Sequence, residues 1–230
     1  MLADLLPTWV VAVEATDRTS PAPLLAEEAV ALGSAVPKRS LEFTIGRHCA
    51  HEALRGLGAD RGPILIGPAR EPLWPGDVVG SITHCPGFAA AAVARRTDAA
   101  SIGIDAEPNE VLPAEVLPDV ATEEERRALH ALGSTGVCWD RVLFSAKESV
   151  FKAWYPIAAR WLGFTDVRLA IQPDVTDGAG GTFTADLLGQ RLDVDGQAMT
   201  CMCGRYAVTD ERVLTALVLR AGATRAAGPA

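Results

Sequence analysis

The chain has 230 residues, and its hydrophobic share of 49% is enough to bury the core of one large domain or of two small ones. Its formal net charge of −8 at pH 7 argues against a nucleic-acid-binding protein, because such proteins usually carry a basic face. The opening residues do not form a basic and apolar leader, and no apolar run reaches the ~20 residues that span a bilayer, so we expect a cytoplasmic protein without membrane contact.

The first predicted elements are a short strand and a long helix. The apolar run 9–13 is typical of a strand, and a proline-rich loop follows it. Ser40 is placed to cap the helix, and Gly58 suits the left-handed position just past its end. Four apolar residues recur at helical spacing on one side: Phe43, Ala50, Leu54 and Leu57.

Another side of this helix is basic. Arg47, His51 and Arg55 follow one another at steps of four residues, so their side chains project in one direction. A solvated charged face and an anion-binding face both explain this pattern. Because the chain as a whole is acidic, any anionic ligand must be held by a local cluster of cations.

A sheet is predicted next. Its strands are Val78 to His84, Ala89 to Ala94 and Ser101 to Glu107, and a Pro-Gly turn joins the first two. Ser81, Thr83 and His84 lie at the end of the first strand, where hydroxyl and imidazole groups can contact a phosphate or a sugar. A histidine that bonds only to backbone is the alternative for His84.

The third of these strands carries two carboxylates on one face. Side chains alternate along a strand, so Gly103, Asp105 and Glu107 share one face and Ile102, Ile104 and Ala106 share the other. Two adjacent carboxylates repel unless a cation lies between them or water screens them. Gly103 leaves room beside them for a ligand. An edge strand with both acids in solvent is the alternative.

A second long helix is predicted to begin at Trp139 and to end before Pro156. Its apolar stripe consists of Trp139, Leu143, Ala146, Val150 and Trp154. Glu148 and Lys152 lie on its flank. Two other interpretations of Glu148 stay open, since Ser145-x-x-Glu148 fits a capping box and Glu148 with Lys152 fits a surface ion pair.

The order of elements predicts an α+β fold with two pseudo-symmetric lobes, each a long helix packed on an antiparallel sheet. A proline-broken interlobe segment covers residues 111–118, a polar helix follows near Glu123, and residues 164–220 alternate short strands with glycine-rich turns that include Gly178. We place the lobes at residues 1–103 and 104–220. Residues 221–230, rich in alanine, glycine and proline, are expected to form a disordered tail.

The five cysteines are Cys49, Cys85, Cys138, Cys201 and Cys203. Their number is odd and their spacing is scattered, so neither a disulfide framework nor a zinc site is expected. Cys201-Met202-Cys203 is explained by alternate positions on a strand, because free cysteine packs as a small hydrophobic side chain.

The acids and bases singled out above predict a site for a divalent cation and a phosphate. Magnesium prefers oxygen ligands and is commonly held by one to three carboxylates together with substrate phosphates. Asp105 and Glu107 from the strand and Glu148 from the helix would supply such a set if the fold brings them together. Lys147 and Lys152 add positive charge, which phosphoryl transfer requires.

Five short motifs occur in order along residues 40–155. They are GRHCA at 46–50, REPLWPG at 70–76, GSITH at 80–84, GIDAE at 103–107 and FSAKESVFKAW at 144–154. This series resembles the phosphopantetheinyl transferases, specifically the longer two-lobed type of siderophore, polyketide and nonribosomal peptide synthesis. Each motif alone is loose, but their occurrence in one order is specific.

The resemblance implies an activity and a set of ligands. Such enzymes bind coenzyme A and magnesium in the cleft between two lobes. They transfer the phosphopantetheine arm to a serine of an apo acyl or peptidyl carrier protein and release adenosine 3',5'-bisphosphate. A non-catalytic relative that binds coenzyme A and another magnesium-dependent enzyme acting on a nucleotide diphosphate are the alternatives.

The resemblance also assigns roles to residues. Asp105, Glu107 and Glu148 would hold the metal. Glu148 would take the serine proton, directly or through a water held by the metal, and Lys152 would steady the transferred phosphate. A glutamate among 123–125 could share the role of base. Seven residues would bind coenzyme A, the first four at its terminal phosphates: Arg47, Arg55, Arg70, His84, Ser81, Thr83 and Lys147.

Carrier proteins are usually acidic, as this chain is, so global charge attraction cannot drive their recognition. We therefore expect three apolar side chains of the interlobe segment, Leu112, Val116 and Leu117, to dock the carrier beside a few local cations. Two lobes within one chain favour a monomer.

Overall fold

The computed structural model describes residues 1–16, 18–60, 62–133, 136–174 and 179–222. The helices are α1 (Ala26–Leu32), α2 (Pro37–Leu57), α3 (Leu117–Val120), α4 (Glu123–Ala131) and α5 (Trp139–Ala158), with short 3-10 turns at Leu2–Leu5 and Phe164–Asp166. The strands are β1 (Val11–Thr16), β2 (Leu65–Ile66), β3 (Pro72–Leu73), β4 (Val78–Cys85), β5 (Phe88–Arg95), β6 (Ala99–Pro108), β7 (Val167–Pro173), β8 (Gly180–Leu187), β9 (Leu192–Val194), β10 (Gln197–Met199), β11 (Cys201–Val208) and β12 (Arg212–Arg220). Gly178 and positions 223–230 of the expected tail lie outside the described residues.

The first lobe consists of the antiparallel sheet β1-β5-β4 with α2 packed on it. The central strand β5 contains Phe88, then a run of alanines and one valine, and it is buried on both faces. Alanine side chains are short, so α2 can approach the strand closely. Cys49, Ala50, Ala53 and Leu54 of α2 lie in the resulting core.

Helix α2 begins earlier than expected. It starts at Pro37, and Val36 takes the N-cap position, so the prediction that Ser40 caps the helix is wrong. Proline suits the first helical position because its missing N–H has no partner there in any case. The other end agrees with the prediction, since Gly58 follows the last turn with a φ of 64°.

The second lobe consists of the antiparallel sheet β6-β12-β11-β8-β7 with α5 packed across β6 and β12. The two-lobed α+β prediction is confirmed. Gly103 marks where α5 crosses β6: a Cβ atom there would lie 1.8 Å from the Ser149 carbonyl oxygen. The space beside Gly103 therefore accepts the helix backbone, not a ligand as the sequence suggested.

The two lobes meet where β6 lies beside β4. The Ser81 hydroxyl accepts a hydrogen bond from the Ile104 N–H at 3.2 Å, and the Thr83 hydroxyl accepts one from the Ala106 N–H at 3.0 Å. These side chains take the place of a backbone ladder along this edge of β6. Strand β6 pairs with β12 along most of its length, and the division of lobes after residue 103 stays a prediction.

Helix α5 differs from the prediction at its end. It continues through Pro156 to Ala158, because a proline in the last turn removes only one backbone hydrogen bond. At its other end, Ser145 lies about two turns inside the helix, so the capping-box interpretation of Ser145 and Glu148 is wrong.

The interlobe segment also differs from the prediction. Leu112 is buried, and Val116 and Leu117 are half-buried against the core of the second lobe. The expectation that Leu112 docks a partner is therefore wrong, whereas docking by the partly exposed Val116 and Leu117 stays a prediction. Val111, a large apolar residue of the segment, is 71% exposed.

Within the described residues, no helix is both long and apolar enough to cross a bilayer. All five cysteines carry free thiols, and Cys201 and Cys203 lie on β11 as the sequence predicted, with buried Met202 between them.

Candidate active site

The candidate active site is the cleft where α5 crosses the junction of β4 and β6. Strand β6 contributes Asp105 and Glu107, and α5 contributes Glu148 and Lys152. A cavity of about 480 Å³ opens beside them and is lined by Glu148, Lys152, Ser81 and Arg70, with Trp74 and Tyr155 as aromatic walls. We call it the main cavity.

Asp105 is the most enclosed acid of the cleft and is only 4% exposed. Its carboxylate accepts hydrogen bonds from Lys152 Nζ at 2.6 Å, from the Ser145 hydroxyl at 2.8 Å and from the Thr83 hydroxyl at 3.2 Å. Donors from α5 and β4 thus fix this strand-borne acid at the lobe junction. The alternative of two acids in open solvent is wrong for Asp105.

Glu107 is half-buried and is paired with Arg141 of α5 at 2.9 Å. Burial, and next the charge of Asp105, raise the pKa of Glu107 to about 7, although Arg141 opposes the shift. Arg141 also donates to the carbonyl oxygens of Glu110 and Val111. The sequence did not single out Arg141, which links this acid to the interlobe segment.

Glu148 differs from the other two acids. It is half-buried at the main cavity, and within the described ranges its carboxylate has no hydrogen-bond partner. Burial, then the charge of Asp105, raise its pKa, and Lys152 partly offsets this. Lys152 bonds to Asp105 instead of pairing with Glu148, so the surface-pair interpretation is wrong.

The three acids form an acidic group around Asp105, whose charge raises the pKa of both Glu107 and Glu148. Among the residues with described side chains, no three histidine, cysteine or acidic groups are already arranged to hold a metal ion. Lys152 and Arg141 act as counterions to Asp105 and Glu107. The donors are carboxylate oxygens with mutual repulsion, and this chemistry fits a hard divalent cation.

A second cavity, of about 330 Å³, adjoins the main cavity and is lined by three arginines and a histidine. Arg39, Arg47, Arg70 and His84 line it, and Arg70 also lines the main cavity. We call it the basic cavity. Burial lowers the pKa of His84, as do Arg39 and Lys152, while Glu42 raises it. This favours an imidazole that is neutral at pH 7.

Arg39 is a cation that the sequence interpretation missed. Its Nη1 lies 3.4 Å from His84 Nε2. It occupies the same helix two turns before Arg47, and spacing could have found it had the helix been taken to begin before Ser40.

Arg70 lines both cavities, and it belongs to a short loop with an unusual backbone conformation. Its φ of 70° is uncommon for a residue with a side chain. A hydrogen bond from its N–H to the Gly67 carbonyl and one from the Ala69 N–H to the Glu71 carboxylate stabilise the loop.

Comparison with known proteins identifies the family. Residues 26–94 match the model of the 4'-phosphopantetheinyl transferase N-terminal domain, and residues 101–202 match that of the 4'-phosphopantetheinyl transferase superfamily. The chain belongs to this superfamily. It is therefore an enzyme that transfers phosphopantetheine to carrier proteins.

Individual relatives agree over most of the chain. The chain is 48% identical to 4'-phosphopantetheinyl transferase Svp of Streptomyces mobaraensis, over 97% of its own length and 91% of that protein. It is 44% identical to 4'-phosphopantetheinyl transferase PptT of Mycobacterium tuberculosis, over 85% and 86%. With enterobactin synthase component D of Salmonella typhi it shares 38% identity over 54% of this chain and 51% of that one.

Arg47 and Arg55, two predicted coenzyme A ligands of this phosphopantetheinyl transferase, have protein partners, and so does their helix neighbour His51. Arg47 is 6% exposed and donates to the Ile64 carbonyl at 2.9 Å, while His51 pairs with buried Glu28 at 2.8 Å. This side of α2 therefore packs inward, and the solvated-face alternative is wrong for Arg47 and His51. Arg55 bonds to Glu52, is exposed and lines neither the main nor the basic cavity.

The predicted role of Lys147 in binding coenzyme A needs a larger correction. Its side chain is 1% exposed and forms an ion pair with Glu125 of α4 at 2.9 Å. The Lys147 ammonium donates to Glu125 and to the carbonyl oxygens of Val120 and Phe164, so all three of its donors are used by protein acceptors and its predicted role in coenzyme A binding is not supported. For the same reason Glu125 is not available as a base.

Glu123 and Glu124 are exposed and lie beside Arg126 and Arg168, respectively. Neither lines the main cavity of the transferase. The open alternative that a glutamate among 123–125 shares the role of base is therefore not supported at any of the three positions.

An apolar groove of about 150 Å³ lies on the other side of Glu148. It is formed by Phe151, Trp161, Leu162, Gly163, Phe164 and Val167, with Lys147 and Glu148 at its edge. Trp161 is 73% exposed and its ring lies 4.8 Å from that of Phe151. Glu148 and Phe151 line both the groove and the main cavity, so the two spaces are adjacent in this transferase.

Proposed function

We propose that the cleft binds coenzyme A and Mg²⁺ and transfers the phosphopantetheine arm of coenzyme A to a serine of an apo acyl or peptidyl carrier protein. The observation that carries this assignment is Glu148. It is an acid with a raised pKa and no hydrogen-bond partner in the described ranges, and it lies beside Asp105 at the edge of the main cavity.

The cavities match the parts of coenzyme A. The basic cavity, with Arg39, Arg70 and His84, offers donors for the terminal phosphates. The main cavity has aromatic walls for the nucleotide and leads to Glu148 and Lys152. The apolar groove has the character needed for the uncharged pantetheine chain.

The reaction is a phosphoryl transfer. Glu148 takes the proton of the carrier serine, whose oxygen attacks the phosphorus that bears the pantetheine chain. The bond between this phosphorus and the bridging oxygen breaks, and adenosine 3',5'-bisphosphate leaves with that oxygen. Lys152 bonds to Asp105 and its charge opposes the rise in the pKa of Glu148, so it lies near both acids and steadies the transferred phosphate.

Asp105, Glu107 and Glu148 are the residues that would hold Mg²⁺. When bound, this ion neutralises the pyrophosphate and the negative charge that develops during transfer. Lys152 and Arg141, the present counterions of Asp105 and Glu107, would then be free to face phosphate oxygens.

We propose further that the enzyme acts in the cytoplasm as a monomer and binds neither nucleic acid nor membranes. The acidic net charge of −8 supports the absence of nucleic-acid binding. Carriers of siderophore, polyketide or nonribosomal peptide synthesis are the proposed acceptors, in line with the resemblance of the five motifs.

One assay tests this function. The protein is incubated with coenzyme A, Mg²⁺ and several apo carrier proteins, and each carrier is weighed by mass spectrometry. We expect a carrier to gain the mass of one phosphopantetheine, and Glu148→Ala to remove this gain. Coenzyme A binding without any mass gain would favour a non-catalytic relative, and turnover of a nucleotide diphosphate without a carrier would favour the other alternative.

A further inference from the structure

The ion pair of Glu125 and Lys147 connects five segments of the second lobe. Lys147 Nζ donates to Glu125 and to the carbonyl oxygens of Val120 at 2.8 Å and Phe164 at 2.9 Å. Glu125 also accepts hydrogen bonds from the N–H groups of Thr122 and Leu169, both at 2.8 Å. The pair therefore joins α3, α4, α5, the Phe164 turn and β7.

Two of these links border the apolar groove. Lys147 precedes Glu148 on α5, and its stem forms part of the groove edge. Its bond to the Phe164 carbonyl fixes the opposite wall, which contains Phe164 and Val167. This buried ammonium group thus links α5 to residues 161–167 by a direct hydrogen bond, beside the ring contacts Phe144–Phe164 and Phe151–Trp161.

Stability alone does not explain this arrangement. Both side chains are 1% exposed, and removing two charges from water costs about as much as their attraction returns. A well-packed apolar pair would serve the core equally well. What an ion pair with four further hydrogen-bonding groups adds is a fixed geometry, because each bond tolerates little change in distance or angle.

We propose that Glu125 and Lys147 are a positioning pair for phosphopantetheine transfer. The pair holds α5 and residues 161–167 at a fixed spacing, and so sets Glu148 and the apolar groove relative to each other. This inference rests on the proposed function. Lys147 acts through its buried partners and does not contact the phosphates of coenzyme A.

The test is a double-mutant cycle with Glu125→Gln, Lys147→Met and the double variant. For each protein, kcat, the KM for coenzyme A, the dissociation constant of adenosine 3',5'-bisphosphate and Tm are measured, with kinetics taken well below Tm. Asp186→Asn is the matched control, because it removes one acid from an exposed ion pair with Arg168 in the same lobe.

We expect both single variants to lower kcat by roughly 10- to 100-fold, since misplacement by ~1 Å is sufficient for such losses. The double variant should also lose kcat, but by no more than the poorer single variant, and the affinity for adenosine 3',5'-bisphosphate should not change. A single variant that buries an unpaired charge could fail to fold. In that case the double variant, which buries no unpaired charge, decides the question: a lowered kcat supports the role of the pair, and a normal kcat contradicts it.

Two results would overturn the inference. Variants that lose Tm but keep kcat would show that the pair only stabilises the fold. Weaker binding of adenosine 3',5'-bisphosphate in Lys147→Met, with normal kinetics in Glu125→Gln, would show that Lys147 contacts coenzyme A directly. An inactive wild-type protein would refute the proposed function itself, whereas fully active variants would refute only the role of the pair.

Discussion

Gly103 of β6 and Ser149 of α5 are in backbone contact: a Cβ atom on Gly103 would lie 1.8 Å from the Ser149 carbonyl oxygen. No side chain can separate the strand and the helix at this point. Asp105 lies two residues beyond the contact on β6, and Glu148 immediately precedes Ser149 on α5. This contact therefore sets the distance between the strand-borne and helix-borne acids.

Gly103→Ala should destabilise the protein by about 1–3 kcal/mol or more, because the obstructing atom belongs to the backbone and cannot rotate away. Thermal unfolding measures the loss, and transferase activity should fall with it. Gly76→Ala is the control, since no atom lies within 4 Å of its added Cβ. An unchanged Tm for Gly103→Ala would show that α5 does not approach β6 as described.

Glu148→Gln should lower kcat by roughly 10²- to 10⁴-fold, the usual contribution of a positioned base, while coenzyme A still binds. Only the deprotonated carboxylate accepts the serine proton. Because the pKa of Glu148 is raised above its ordinary 4.5, activity should fall on the acid side at a higher pH than an ordinary glutamate predicts. The pH dependence of kcat measures this. Retained activity in Glu148→Gln would assign the base elsewhere.

Glu107 should make stability depend on pH. Its pKa is about 7 in the folded protein against an ordinary 4.5, so the folded protein holds a proton that the unfolded chain releases between these values. Its stabilising contribution is therefore complete below pH 4.5 and is lost as pH rises through about 7. Asp105, Arg141 and Lys152 are the charged groups that act on Glu107.

Bound Mg²⁺ needs this carboxylate deprotonated, so the rise in Tm on adding Mg²⁺ should be larger at pH about 8 than at about 6. Thermal unfolding with and without Mg²⁺ measures it. In Glu107→Gln the stability should depend less on pH over this range, and the rise in Tm on adding Mg²⁺ should be smaller. Equal Mg²⁺ effects at the two pH values would count against Glu107 as a ligand.

Trp161→Ser should weaken coenzyme A binding by roughly 3- to 10-fold, the value of one aromatic contact, if the apolar groove holds the pantetheine chain. Adenosine 3',5'-bisphosphate lacks this chain, so its affinity should not change. Calorimetric titration of both ligands gives the comparison. Tm should change little, because Trp161 is 73% exposed. Equal loss of affinity for both ligands would place the chain outside the groove.

Val111→Asp should raise the KM for the carrier protein by roughly tenfold, the effect of one apolar interface residue, and leave the KM for coenzyme A alone. Val111 is a large, exposed apolar side chain of the interlobe segment, and its carbonyl oxygen accepts a hydrogen bond from Arg141, the partner of Glu107. Val30→Asp on α1 is the control, at 81% exposure. A KM for the carrier protein equal to that of the wild type would show that Val111 is not part of the docking surface.

The elements and the acids of the cleft could be predicted from the sequence because both depend on local periodicity. Alternation along β6 separated Asp105 and Glu107 from Ile102 and Ile104, and the apolar stripe from Trp139 to Trp154 identified α5. Boundaries were less certain. Pro37 is the first residue of α2, so the helix begins before the Ser40 cap that the sequence suggested, and Pro156 lies inside the last turn of α5 instead of after its end.

The partners of charged side chains were decided only by the tertiary structure. Lys147 and Lys152 are five residues apart on one helix and look equivalent in sequence, yet Lys147 is buried against Glu125 and Lys152 reaches Asp105 in the cleft. Their difference depends on which face of α5 each occupies and on what α4 and β6 place opposite. Sequence alone determined that this chain carries the acids and bases of a phosphate-transfer site; long-range packing, which no local period encodes, decided which of them face the cleft.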